Sequence, residues 1–196
     1  MIYNWIDTAK FKPIVDNSIY EKYGINRDKK IVVSVSAFWN NLTTRFNDAK
    51  KLADILPEDY QLVIIGKKDG VVIPDNIIHI PFVNGTEELS KLYTAAVAFA
   101  GFSIEDTFGK VFAEAMLCGT PCVVFNSTAC PEVVGDCGFA VAPHDVENMK
   151  NKIMEIGSIG KEHFSLRCIE RVNTNFNYES NVGRYLKVYE SILNKR

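Results

Sequence analysis

From residue 31 onward, short apolar runs alternate with stretches whose apolar residues recur at helical spacing. Ile31–Ser36 (IVVSVS), Tyr60–Gly66 (YQLVIIG), Ile77–Ile80 (IIHI), Ala96–Ser103 (AVAFAGFS), Pro121–Phe125 (PCVVF) and Gly138–Pro143 (GFAVAP) read as six strands. Helices are expected over Asn47–Leu56, from Thr86 to about Ala95, and over Lys110–Cys118, Pro131–Val134, Val146–Ile156, Lys161–Arg171 and Glu179–Asn194. Thr86 is placed to cap its helix, with Glu87 and Glu88 in a first turn that favours acids. The last helix carries Val182, Tyr185, Leu186, Tyr189, Ile192 and Leu193 on one stripe, which is expected to bury against the core.

Strands this continuously apolar, each followed by a helix, belong to a parallel sheet covered on both faces. The expected fold class is therefore α/β: one Rossmann-like, doubly wound parallel sheet of about six strands, with no internal repeat. Its usual order, 3-2-1-4-5-6, reverses between strands 1 and 4, and the ligand crevice lies beyond their carboxyl ends. That places the loop Ala37–Phe46 (AFWNNLTTRF) opposite the loop Phe102–Lys110 (FSIEDTFGK).

Composition narrows the function. The 196 residues, 47% hydrophobic, suit one domain with a substantial core. A net charge of -2 gives no electrostatic reason for nucleic acid as a partner. No apolar run reaches bilayer-spanning length and the N-terminus lacks a secretory pattern, so a cytoplasmic location is expected. The five cysteines show no CxxC pairing and are expected as reduced, packed thiols, and the three histidines form no motif. No metal or cofactor site is expected. The loop Ala37–Phe46 holds no glycine, which argues against an NAD-type GxGxxG site, and no P-loop is present.

The candidate chemistry lies in Glu105–Phe125 (EDTFGKVFAEAMLCGTPCVVF), where Asp106 and Glu114 sit eight positions apart around a helix start. Asp106 or Thr107 can cap that helix. Gly109 allows close approach of a ligand, and the N–H groups of Gly109, Lys110 and Val111 can hold a phosphate. Glu114, one to two turns inside, can accept two hydrogen bonds from a ribose diol, and Asp106 can accept hydroxyls of a sugar on the distal phosphate. The plainer alternative is a capping acid and a solvated helix glutamate.

Asp106-Thr107-Phe108-Gly109, followed by Glu114-Ala115-Met116-Leu117-Cys118-Gly119-Thr120-Pro121-Cys122-Val123-Val124, resembles the donor-site signature of the family 4 (group 1) retaining glycosyltransferases. The downstream Pro131-Glu132 and the opening IYNWIDTAKFKP fit the same family. The resemblance implies one half of a GT-B fold: a C-terminal nucleotide-sugar-binding domain over 1–196, with residues 1–30 as a connector-like lead-in and 176–196 as the terminal helix. It assigns catalytic roles to Asp106, facing the donor sugar, and to Glu114, on the ribose. It places donor contacts at Phe108, Gly109, Lys110 and Val111, and the nucleobase near Pro81, Phe82 and Val83.

Three departures from the family pattern stand out. Asp106 replaces a glutamate. The basic pair after strand 1 is reduced to Arg45. The N-terminal acceptor domain of the family is expected to be absent, so turnover by this chain alone is not expected. The implied partners are a nucleotide-diphosphate sugar, a glycan or lipid-linked acceptor and an N-terminal partner domain, with peripheral attachment of the full enzyme to the inner membrane face. Surface polysaccharide synthesis is the implied setting. The alternative is a non-catalytic nucleotide-binding or partner-binding module. For the last helix, the family implies packing toward the N-terminal domain rather than into this core.

Overall fold

The computed structural model describes residues 2–40 and 44–194. Six parallel strands form one sheet in the order β3-β2-β1-β4-β5-β6, the arrangement expected from the alternation. The strands are β1 (Lys30–Trp39), β2 (Tyr60–Lys68), β3 (Ile77–Ile80), β4 (Ala96–Gly101), β5 (Cys122–Phe125) and β6 (Gly138–Val141). Helices α1 (Ser18–Tyr23), α2 (Arg45–Ile55), α3 (Thr86–Ala95), α4 (Lys110–Leu117), α5 (Cys130–Val134), α6 (Val146–Ile159), α7 (Glu162–Asn175) and α8 (Tyr178–Leu193) complete the chain. Val32, Val33, Leu62, Val63, Ile64, Ala98, Val123 and Val124 are fully buried, because helices cover both faces of the sheet. All five cysteines are free and buried.

Several boundaries differ from expectation, each for a local reason. β1 does not end at Ser36. A register shift between Val35 and Phe38 lets it continue beside Lys67 and Lys68 of β2 to Trp39. The buried Trp39 indole fixes that extension by donating to the Ile65 carbonyl at 3.0 Å. The expected loop Ala37–Phe46 therefore begins as strand and ends as helix, and its residues 41–43 lie outside the described residues. Thr86 is the first residue of α3 rather than its cap, which is Gly85. The short α1 had no periodic signal. It ends where Gly24 turns left-handed (φ 64) and Ile25 N–H returns to the Tyr20 carbonyl.

The largest departure is α8, whose stripe does not enter the core. Asn181 is its one buried residue, while Leu186, Val188, Tyr189, Ile192 and Leu193 are exposed. Tyr178 and Tyr185 meet the lead-in instead, edge-on to Trp5 at 5.8 and 5.6 Å. The lead-in is fastened beside this helix by Ile6 N–H donating to the Phe176 carbonyl, 2.9 Å.

Candidate functional site

The sheet order puts the crevice where the strand direction reverses, at the carboxyl ends of β1 and β4. A cavity of about 250 Å³ opens there, lined among others by Ser36, Arg45, Ser103, Asp106, Gly109 and Lys110. Ser36 closes the regular part of β1, Ser103 follows β4, and Arg45 opens α2. The Arg45 guanidinium donates from Nη1 to Ser36 Oγ at 2.8 Å and from Nη2 to Ser103 Oγ at 3.1 Å. It thus ties the two strand ends across the crevice. Among the described residues, neither Arg45 nor Lys110 forms an ion pair, so both cations face the cavity without a bound carboxylate.

The start of α4 differs from the expectation that Asp106 or Thr107 caps it. The cap is Gly109 itself, in the left-handed region at φ 75, and no side chain accepts from the first turn. A Cβ at this position would lie 2.4 Å from the Phe112 ring, so glycine is needed for both backbone and space. With no acid in the first turn, the N–H groups at this helix end stay open toward an anion. The preceding loop is braced from the β5–α5 connection. Ser127 Oγ donates to the Ile104 carbonyl at 2.9 Å, and Ala129 N–H to the Asp106 carbonyl at 3.4 Å.

Glu114 lies in a second cavity, of about 450 Å³, between the lead-in and α4. Trp5, Lys10, Phe11, Lys110 and Tyr178 are among its walls. Tyr93 Oη donates to Glu114 Oε2 at 3.3 Å. Burial raises the Glu114 pKa above its ordinary 4.5, opposed by the Tyr93 hydrogen bond and the Lys110 charge. Lys110 lines both cavities, so Asp106 and Glu114 occupy adjoining compartments around one helix end rather than a single pocket.

The other expected site residues fall in different places. Val111 lines the first cavity. Phe108 is buried, with its ring edge-on to Phe176 at 5.1 Å; it supports the loop from the core and is a wall of neither cavity. Pro81, Phe82 and Val83 also line neither. Phe82 is 71% exposed, and Val83 leans on the core. Residue patterns missed the Ser36–Arg45–Ser103 tie, whose signal was a serine near the end of each of two apolar runs. They also missed a pairing of His144 with Asp48, for which no local motif exists. Among the described residues, no group of three or more His, Cys, Asp or Glu side chains is arranged to hold a metal.

Residues 15–171 match the family described as glycosyl transferases group 1. The chain is 25% identical to N-acetyl-alpha-D-glucosaminyl L-malate synthase of Bacillus anthracis, over 98% of this chain and 53% of that protein. It spans about half the length of that curated relative. Sucrose-phosphate synthase of Thermosynechococcus elongatus superposes with a TM-score of 0.79 at 21% identity, over 100% of this chain and 53% of the other. Anabaena HepE, solved in complex with UDP-glucose, superposes with a TM-score of 0.77 at 18% identity, over 97% and 57%. These structures share the Rossmann-like half of the GT-B fold. With its signature gathered around the α4 N-terminus and most of its length matched, the chain belongs to the group 1 glycosyl transferases.

Proposed function

We propose that this domain binds the nucleotide-diphosphate sugar of a retaining glycosyl transfer. The observation that carries the reading is the pair of adjoining cavities around α4, one with Arg45, Asp106 and the open helix end, the other with Glu114, joined through Lys110. A diphosphate fits the first, held by the N–H groups of Gly109, Lys110 and Val111 and by the two cations. A ribose in the second donates its hydroxyls to Glu114. Asp106 faces the sugar, and the base reaches toward Pro81–Val83. In the transfer, the bond from the anomeric carbon to the phosphate oxygen breaks as an acceptor hydroxyl bonds to that carbon, its proton passing to the leaving phosphate oxygen. Negative charge then grows on the leaving diphosphate, where Arg45, Lys110 and the helix end stabilise it.

The reading needs no resident metal. The acceptor, a glycan or lipid-linked sugar of surface polysaccharide synthesis, would be brought by an N-terminal partner domain on the cytoplasmic side, at or near the membrane. Among the described residues, no helix is long and apolar enough to cross a membrane. The exposed stripe of α8 favours a second reading, a module whose role is association with a partner.

Calorimetric titration with UDP-glucose, GDP-mannose and ADP-glucose tests the first reading. One of them is expected to bind saturably, and Glu114→Ala to weaken it at least tenfold, the loss of about one charge-assisted bond. Because the Glu114 pKa is raised and only the carboxylate accepts both ribose hydroxyls, affinity should fall on acidification while the pH is still above 4.5. Glu114→Gln should remove that dependence. Unchanged affinity in Glu114→Ala refutes the ribose contact.

A further inference from the structure

Behind the wall of the Glu114 cavity lies a tyrosine that packing alone does not explain. Tyr93 is fully buried on α3, and its phenol oxygen donates to Glu114 Oε2 at 3.3 Å. Three elements fix it there. Its ring meets Phe11 of the lead-in at 6.3 Å and Phe99 of β4 at 6.1 Å. Its carbonyl accepts from Thr120 Oγ1 at 2.6 Å, in the turn between α4 and β5. Phe11 lines the Glu114 cavity and Tyr93 does not, so the tyrosine stands one layer behind. A phenylalanine would fill the same space. What the hydroxyl adds is a donor aimed at a carboxylate that α4 carries into a largely desolvated position.

We propose that Tyr93 is a positioning residue for the donor's ribose: its phenol holds the Glu114 carboxylate in one orientation, ready for the two hydroxyls. The inference rests on the donor-binding reading. Tyr93 itself touches no part of the donor. A glutamate has several free torsions, and ordering such a side chain on binding weakens a complex about two- to tenfold. With the carboxylate already held by a fixed donor, that loss falls on folding rather than on binding. The same bond, with the Lys110 charge, favours the charged form of Glu114 against the burial that disfavours it. The phenol stays a donor, because burial and the Glu114 charge push its own pKa well above 10. The other titratable groups around Glu114 are Asp7 and Lys10, paired with each other at 3.2 Å, Tyr178, and Cys118 at the end of α4. Burial pushes the Cys118 thiol up to about 11. Lys161, beside Cys118, is held on the Thr94 and Ala96 carbonyls, and burial brings its ammonium down to about 8.

The test is a double-mutant cycle in the whole chain, with Tyr93→Phe and Glu114→Ala made singly and together. Each form is titrated with UDP-glucose, GDP-mannose and ADP-glucose from about pH 7.5 down to about pH 5, above the ordinary range of a carboxylate. With Glu114 present, Tyr93→Phe is expected to weaken whichever sugar nucleotide binds tightest about two- to tenfold at the upper end. The acid loss of affinity should also begin at a higher pH, since Glu114 has lost the bond that favoured its charge. In Glu114→Ala, adding Tyr93→Phe should change neither the affinity nor its pH profile. A tyrosine that matters only for packing would lower affinity by the same factor in both backgrounds and leave the acid limb in place. Either result overturns the inference and leaves the donor reading standing. Unchanged affinity in Glu114→Ala alone refutes the ribose contact and this inference with it, and failure of all three sugar nucleotides to bind overturns the donor reading itself.

Discussion

Alanine at position 66 is expected to destabilise the fold by about 3 kcal/mol or more, from left-handed backbone strain together with overpacking. Gly66 holds φ 130, and a Cβ there would lie 1.7 Å from the Ser36 carbonyl oxygen. That neighbour is backbone of the adjoining strand, so no side chain can swing aside. Either β1 or β2 must move where the register shift between Val35 and Phe38 already bends the ladder. Ser36 also holds Arg45, so the damage should reach the crevice. Gly24 is the control. It too has positive φ, but nothing lies within 4 Å of an added Cβ, and alanine there should cost only the left-handed strain, about 1–2 kcal/mol. Urea unfolding of the two variants checks the contrast, and equal midpoints would contradict it.

Removing both crevice cations should be the largest single loss of binding. Arg45→Ala with Lys110→Ala is expected to weaken the sugar nucleotide at least about a hundredfold, since each charge-assisted hydrogen bond contributes about 1.5–3 kcal/mol. The corresponding free nucleoside should weaken far less, because its ribose is held by Glu114 and, of the two cations, only Lys110 borders that cavity. Added salt should weaken the unaltered chain more than the double variant. If nucleoside and sugar nucleotide weaken equally, the diphosphate is not at Arg45 and Lys110.

The parts of the molecule legible from sequence were those fixed by local pattern. Strand runs such as IIHI and PCVVF, and the helix from Lys110, are dictated by apolar periodicity, and their alternation suffices for the sheet order. The acid positions Asp106 and Glu114 were equally plain. Illegible were the features decided by three-dimensional contact. Trp39 extends β1 because an indole N–H finds the Ile65 carbonyl from another strand. Gly109 displaces Asp106 as the cap because the left-handed turn places its N–H at the helix end directly. Ser36 and Ser103, sixty-seven positions apart in sequence, become partners only once Arg45 bridges β1 and β4. The stripe of α8 has the period of a buried helix, but periodicity does not say which surface will cover it.

A crystal structure of the chain with its tightest-binding sugar nucleotide tests the central claim most directly. The expected result is a diphosphate against the N–H groups of Gly109, Lys110 and Val111, with Arg45 turned from Ser36 and Ser103 toward it and the ribose hydroxyls on Glu114. A nucleotide bound elsewhere, with the crevice between β1 and β4 empty and Arg45 still on its two serines, would contradict it.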